Sequence, residues 1–359
     1  MLFSFAIMTA SIPGIVGLTV NTSWAVMWLV SPLLLLNCKI GLTPVNILGA
    51  TFLSYAALSL LWSPHGLLEL MQLLALASVF VWGLSLANLK NVTIGLSLGL
   101  AVSSVIAILQ YFKIDLSIVT TEKLTGLFIN PNIYAEVSGM VLILILIYKL
   151  WWYIPVVIPG LLVSSRAVVL ALGVSLAMFV WARFKLASII IVITSWFIAL
   201  KLSARDTLFS DLSIGTSNLN TQSLNIRLDM WYDMLFGFKI FGNGIGSFVY
   251  VFPEYNKHLD TTVSIAEYAH NDLLQLIFEL GIGAIPLLII AWILLKVNDV
   301  HKRALIFFLI IGLFGFPLHT PVVAFMLALA AAQLAKLSLG GRIAINSSRL
   351  PVFNRMETE

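Results

Sequence analysis

Three polar interruptions of an otherwise apolar sequence carry side chains suited to chemistry. Ser164-Ser165-Arg166 is a notch inside an apolar run from 150 to 182. Charge at or within lipid is expensive, about 2.5–3.5 kcal/mol for an arginine at the bilayer centre, and tends to be functional. Arg166 offers a fixed charge on a fork that matches phosphate oxygens; a loop cation snorkelling to headgroups is the plain alternative. Arg227 precedes Asp229 and Asp233, so a functional charge competes with a surface ion pair to Asp233 or a headgroup contact. Tyr268-Ala269-His270-Asn271-Asp272 supplies an imidazole, which can take a proton from a hydroxyl near neutral pH or sit at an interface as an amphipathic side chain.

The elements around these residues follow from local patterns. Ser264-Ile265-Ala266-Glu267 has the form of a capping box, which predicts a helix starting near residue 265 and running to 296. Its length, about 32 residues or about 48 Å at 1.5 Å per residue, exceeds a hydrocarbon core of about 30 Å. Its first turns, with His270, therefore project to the lipid–water boundary, and Glu267 reads as a cap. Between Ser223 and Phe241, Leu224, Leu228, Trp231, Leu235 and Phe238 recur at spacings of three and four, which predicts an amphipathic helix along the membrane surface. Asn130-Pro131-Asn132 reads as a turn opening a helix, with Asn132 its cap. Gly242, Gly244 and Gly246 serve either tight turning or the presentation of backbone N–H groups to phosphate. Glu69, Glu136 and Glu279 lie near helix ends, where each is able to pair with an arginine or line a cavity. His319, in Pro317-Leu318-His319-Thr320-Pro321, reads as a structural turn, and His65 and His258 as solvated. There is no HExxH, no paired Asp-x-Asp and a single cysteine, Cys38. The expected chemistry therefore needs no metal and no cofactor.

Composition sets these residues in a membrane. Of 359 residues, 60% are apolar and 10% charged, with a mean hydropathy of +1.03, against about 25% charge in soluble domains. That excludes a secreted or cytosolic enzyme and a nucleic-acid partner, and makes membrane lipid the surrounding phase. The first twenty residues lack a basic start and read as a span rather than a cleavable signal. About twelve apolar runs qualify as spans, near 3–20, 22–37, 44–62, 67–88, 92–112, 132–148, 150–164, 167–184, 187–202, 272–296, 303–318 and 321–339. With both termini cytoplasmic, the inside connections hold Lys39, Lys90, Lys149, Arg183, Lys185, Lys296, Lys302 and Arg303, while the short outside loops hold Lys113, Lys123 and Arg166. This is the bias the positive-inside rule requires. The fold class is thus all-α, a polytopic helical bundle forming a single membrane domain over 1–359. A long outer loop, 203–271, lies between spans nine and ten, and a basic tail, 340–359, is cytoplasmic.

Taken in order, several pieces resemble the O-antigen ligase and O-antigen polymerase family of bacterial inner-membrane glycosyltransferases. They are Leu60-Leu61-Trp62-Ser63, Gly126-Leu127-Phe128-Ile129-Asn130-Pro131-Asn132, Ser164-Ser165-Arg166, and Arg227 four residues before Trp231. Gly242-Asn243-Gly244-Ile245-Gly246, His270-Asn271 with Leu274-Gln275, and Glu279-Leu280-Gly281 complete the set. The resemblance covers roughly 45–335. It implies a GT-C-like helical fold in the inner membrane, a periplasmic active site, a glycan donor on undecaprenyl diphosphate and a glycan or lipid-linked acceptor hydroxyl. By the same resemblance Arg166 and Arg227 hold the donor diphosphate and His270 assists the acceptor. Asn130, Asn132, Gly244, Tyr268 and Asn271, in the neighbouring motifs, are the expected substrate contacts. Direct attack by the acceptor predicts inversion at the anomeric carbon, without a metal. The competing function is transport of a small anion or a lipid-linked sugar, for which Glu279 and the Gly281–Pro286 break are the best features.

Overall fold

A computed structural model describes residues 1–9, 21–35, 38, 41–63, 65–114, 124–128, 130–163, 165–181, 183–204, 219–257 and 266–347. Among these the protein is helical, with no strand. In chain order the α-helices are α1 (Leu2–Thr9), α2 (Asn21–Leu35), α3 (Pro44–Leu58), α4 (Leu67–Ser85), α5 (Lys90–Tyr111), α6 (Pro131–Tyr148), α7 (Ile154–Leu162) and α8 (Arg166–Val180). They continue with α9 (Lys185–Ala204), α10 (Leu219–Met234), α11 (Phe248–Tyr255), α12 (Asp272–Leu280), α13 (Ile285–Lys296), α14 (Lys302–Gly312) and α15 (Pro321–Ser347). Six helical stretches of the described residues are long and apolar enough to cross a bilayer, α12 and α13 counting as one, and four shorter apolar helices accompany them. This is a multi-pass membrane protein. The expected cap residues Ser264 and Ile265, together with His258, Lys39, Lys123 and the tail beyond 347, lie outside the described residues.

The most enclosed stretches stand at the centre: 72% of the span Pro321–Ser338 in α15 and 61% of α6 are buried, against 22% for α4. Around α6 and α15 pack α5, α7, α8 and α14, with α8 and α9 forming a hairpin and α13 lying on α3. Phe307 and Phe308 of α14, Phe325 of α15 and Tyr134 of α6 are buried in this core. A smaller core joins α10, α11 and α12 through Met230, Met234, Phe248, Phe252 and Phe278. The inward face of α10 thus differs from the expected one. Met230, Asp233 and Met234 are buried, while Leu228 and Leu235 of the expected apolar row are exposed. The reason is that Met230 and Met234 pack against Phe248 and Phe252 of α11 and Phe278 of α12.

The long helix expected from residue 265 is not formed. Asn271 caps α12, its Oδ1 accepting from the N–H of Leu274 at 3.0 Å, and residues 266–271 precede it as non-helical chain. The helix then breaks at Gly281 (φ +52) through a 3₁₀ turn, Gly281–Ala284, before α13 resumes with Pro286 in its first turn. A break at this depth exposes carbonyls that lipid cannot satisfy. The loop 240–247 fills it. Gly244 N–H donates to the carbonyl of Glu279 (2.7 Å), Asn243 N–H to Phe278, and Ile282 N–H returns to Ile240. The Glu279 carboxylate accepts from the N–H of Gly246 (2.9 Å) and from Gln275 Nε2 (3.1 Å). Ser63 Oγ and Ser59 Oγ, at the end of α3, bind the carbonyl and N–H of Ile245.

This contact leaves no room at Gly242, which has φ +73 and where a Cβ would stand 2.2 Å from the carbonyl oxygen of Glu279; at Gly49, on α3, a Cβ would meet nothing within 4 Å. Gly242→Ala is expected to cost about 2 kcal/mol or more, and Gly49→Ala to be neutral or to stabilise by up to about 1 kcal/mol. Thermal unfolding of the two variants in one lipid system checks both signs.

Candidate functional site

Between α14 and α15 the chain makes a short connection, Leu313–Thr320, with a 3₁₀ turn at Pro317–His319. Several groups converge on it. Arg227 Nη1 donates to the carbonyl of Phe314 at 2.7 Å. The Phe316 ring stacks on Tyr268, centroids 4.9 Å apart, and meets His270 edge-on at 5.0 Å. Leu318 N–H donates to Asp272 Oδ2 at 2.8 Å. The guanidinium and the imidazole are therefore seated on one connection.

His270 is held in a conformation it would not choose. Its φ of +52 is uncommon for a side chain with a Cβ and costs on the order of 1–3 kcal/mol unless the surroundings impose it. They do so at the preceding residue. The carbonyl of Ala269 accepts from Trp231 Nε1 (2.7 Å) and its N–H donates to Gln275 Oε1 (3.0 Å). Trp231 lies four residues, about one turn, after Arg227 on α10, so that helix fixes cation and imidazole together.

The electrostatics tie in the rest. Arg227 lies within electrostatic reach of Arg166, the first residue of α8, and of Glu136 on α6. Burial first, then Arg166, lowers its pKa, and Glu136 opposes them. Glu136 is itself buried, within reach of Asp272 as well as Arg227. Its Oε1 stands 3.2 Å from where a Cβ on Gly315 would be. Burial, then the charge of Arg227, pushes the His270 imidazole down to about 4, so at neutral pH it is an uncharged proton acceptor. Burial and then Glu267, Glu69, Glu279 and Asp272 push the Tyr268 hydroxyl up to about 12. Burial opposes charge on His319, yet Asp272, with Glu279 and Glu69 behind it, lifts its pKa above the ordinary 6.5.

The expected residues fare differently. His270 is brought to Arg227, and Arg227 to Arg166. Asn130, not Asn132, caps α6, its Oδ1 accepting from the N–H of Asn132 at 2.8 Å with Pro131 at the first position; Asn132 leaves its side chain exposed. Asn271 is a cap and Tyr268 part of the ring stack. Gly244 does not offer its N–H to phosphate, because that group is engaged by Glu279, and turning is the role its φ of +96 fits. His65 is exposed and stacks on Tyr250. His319, expected as a turn residue, lies with Asp272, Gln275 and Tyr268 against the site. The two prolines around it were the one cue to a rigid, enclosed setting. Glu136 gave no cue beyond its place in the first turns of α6. Among the described residues, no group of three or more His, Cys, Asp or Glu side chains is arranged to hold a metal ion.

Residues 133–289 match the model of a family described as O-antigen ligase. No curated protein matches the chain. The matched stretch runs from the start of α6 into α13, so it includes Arg166, Arg227 and His270 and ends before the connection that seats the last two.

The position of His270 predicts a titration. Following deuterium exchange at its imidazole C2 by mass spectrometry should give a midpoint far below 6.5, near 4, and Arg227→Gln should raise it by removing the neighbouring charge. The unfolded chain takes up this proton at about 6.5 and the folded chain only near 4. Between those values the unfolded state binds more protons, so this group makes the fold lose stability as pH falls from 6.5 to 4. Thermal unfolding across that window, with His270→Gln as reference, measures it.

Proposed function

With the O-antigen ligase domain of residues 133–289 as its premise, we propose that the protein is a glycosyltransferase of the polymerase or ligase type. It moves a glycan from undecaprenyl diphosphate to an acceptor hydroxyl on the periplasmic side of the inner membrane, with both termini cytoplasmic. One observation carries the reading: Arg227 is bonded to the carbonyl of Phe314 and His270 rests on Phe316 of the same connection, with Arg166 within electrostatic reach of Arg227. Two guanidinium groups and a neutral imidazole in one place are what this transfer requires.

A glycan on a lipid diphosphate already has a good leaving group. In the proposed step the acceptor oxygen bonds to the anomeric carbon, the bond from that carbon to the diphosphate oxygen breaks, and the acceptor proton passes to His270. Arg166 and Arg227 stabilise the charge that develops on the leaving diphosphate, so the protein's own cations supply what a metal supplies elsewhere. Attack from the side opposite the leaving group inverts the anomeric centre. The same charges set the timing. Burial first, and Arg227 second, hold the imidazole's basicity down; a diphosphate beside Arg227 offsets the second of these, and His270 becomes a somewhat stronger base with the donor in place. Among the expected contacts, Tyr268 and the exposed side chain of Asn132 are those left to meet substrate.

The transport reading is less well supported. Transporters place functional charge at broken helices near the midplane. Here the carboxylate at the break, Glu279, is engaged by Gly246, Gln275 and Phe248, which seat a loop.

The test mixes purified protein, lipid-diphosphate glycan and acceptor with EDTA present. Transfer should persist, disappear in His270→Ala, and fall about a hundredfold or more in kcat in Arg166→Ala and in Arg227→Ala. Loss of transfer on chelation, or full activity in His270→Ala, overturns the mechanism. Counterflow of a labelled anion in proteoliposomes without any transfer would favour transport.

A further inference from the structure

We infer that His319 is a positioning residue for this transfer: through Asp272, Gln275 and Tyr268 it braces the strained backbone at Ala269–Asn271 and so fixes where the His270 imidazole stands. The inference rests on the proposed function for its kinetic consequence, though not for its structural one.

His319 lies outside the family-matched stretch, and its side chain is 16% exposed. Its Nδ1 stands 3.4 Å from Asp272 Oδ1, its Nε2 3.4 Å from Gln275 Nε2, and its ring 4.4 Å from that of Tyr268. These partners flank His270 in sequence at −2, +2 and +5. Each is a strut in its own right. Gln275 holds the N–H of Ala269, the residue before His270. Asp272, buried at the first position of α12, holds the N–H of Leu318, one residue before His319. Tyr268 is packed between His319 and Phe316, and Phe316 is the ring against which His270 rests. Removing the His319 ring opens a gap behind Tyr268 and takes from the buried Asp272 the imidazole that stands beside it. A residue held at positive φ only by its surroundings then has less to hold it, and the imidazole gains freedom and water. His319 makes these contacts to 268–275, the segment that carries the imidazole, and so acts on the chemistry through His270.

The test uses the full chain in lipid nanodiscs, with His319→Ala and the conservative His319→Asn, whose amide N–H takes the place of Nδ1. In the transfer assay His319→Ala should lower kcat by about tenfold or more, as expected for a displaced reacting group, while KM for the donor stays within about threefold. His319→Asn should recover most of kcat. Independently of activity, the midpoint for C2-deuterium exchange at His270 should rise by about one pH unit or more in His319→Ala as burial is relaxed, and stay near the wild-type value in His319→Asn. If the alanine variant does not fold, His319→Phe keeps a ring against Tyr268 and removes only the nitrogens beside Asp272 and Gln275; a rise is expected there too, because those two struts lose their hold on the backbone before and after His270. A folded Ala or Phe variant with an unchanged His270 midpoint overturns the inference. If wild-type protein transfers no glycan, the functional reading falls and the exchange measurement alone judges the positioning role.

Discussion

The bond from Arg227 to the carbonyl of Phe314 joins α10 to a connection on which the rings of Tyr268 and His270 also rest. Arg227 stands on α10, a helix of the polar loop, and Phe314 on the connection between two core helices, α14 and α15. A guanidinium drawn out of water needs acceptors, and a connection at a helix end has carbonyls without intrahelical partners. Each supplies what the other lacks. Because Trp231, about one turn further along α10, binds the carbonyl of Ala269, the same anchoring fixes the position of His270. The site is thus built less by the helices as rods than by their ends, where unpaired backbone groups are available to orient side chains.

The charges gathered there are mutually unfavourable. Arg166 and Arg227 repel, and Asp272 and Glu136 lie within reach of each other. Interleaving relieves both: Glu136 faces Arg227, and Asp272 faces His319. With Glu136 and Asp272 set among them, the cationic side chains are not gathered alone at the end of an apolar bundle.

Much of this was legible in the residues alone. Apolar runs gave the helices, because in lipid the backbone has almost no alternative to a helix; α3, α5, α6 and α9 fall close to the runs 44–62, 92–112, 132–148 and 187–202. Arg166, Arg227 and His270 stood out as the polar cost in an apolar chain. What could not be read was non-local. The helix expected from 265 begins at Asp272 because Asn271 is the cap actually used and because Gln275 turns back to Ala269 rather than leaving it helical. The break at Gly281 depends on a loop some forty residues earlier in the chain that fills it. Gly244 lost its expected role for the same reason, since the carbonyl that engages its N–H belongs to α12. His319 looked like a turn residue because nothing near it in sequence announces Asp272.

That last case shows where the family-matched stretch and the seating of Arg227 and His270 part company. The matched stretch holds the three side chains but ends at residue 289, whereas Phe314, Phe316, Leu318 and His319, which receive Arg227, His270 and Asp272, all come later. The chemistry of the three could be preserved in a chain whose receiving connection differed, and their geometry would not be. Phe314 and Leu318 contribute through their backbone groups, so the identity of those two residues is only loosely constrained, whereas Phe316 and His319 act through their rings. The connection's length and path are constrained tightly. A connection one residue longer would still offer carbonyls, but would carry Phe316 away from Tyr268 and leave the positive φ of His270 without its wall. For this arrangement the spacing between Gly312, where α14 ends, and Pro321, where α15 begins, matters as much as the imidazole it holds in place.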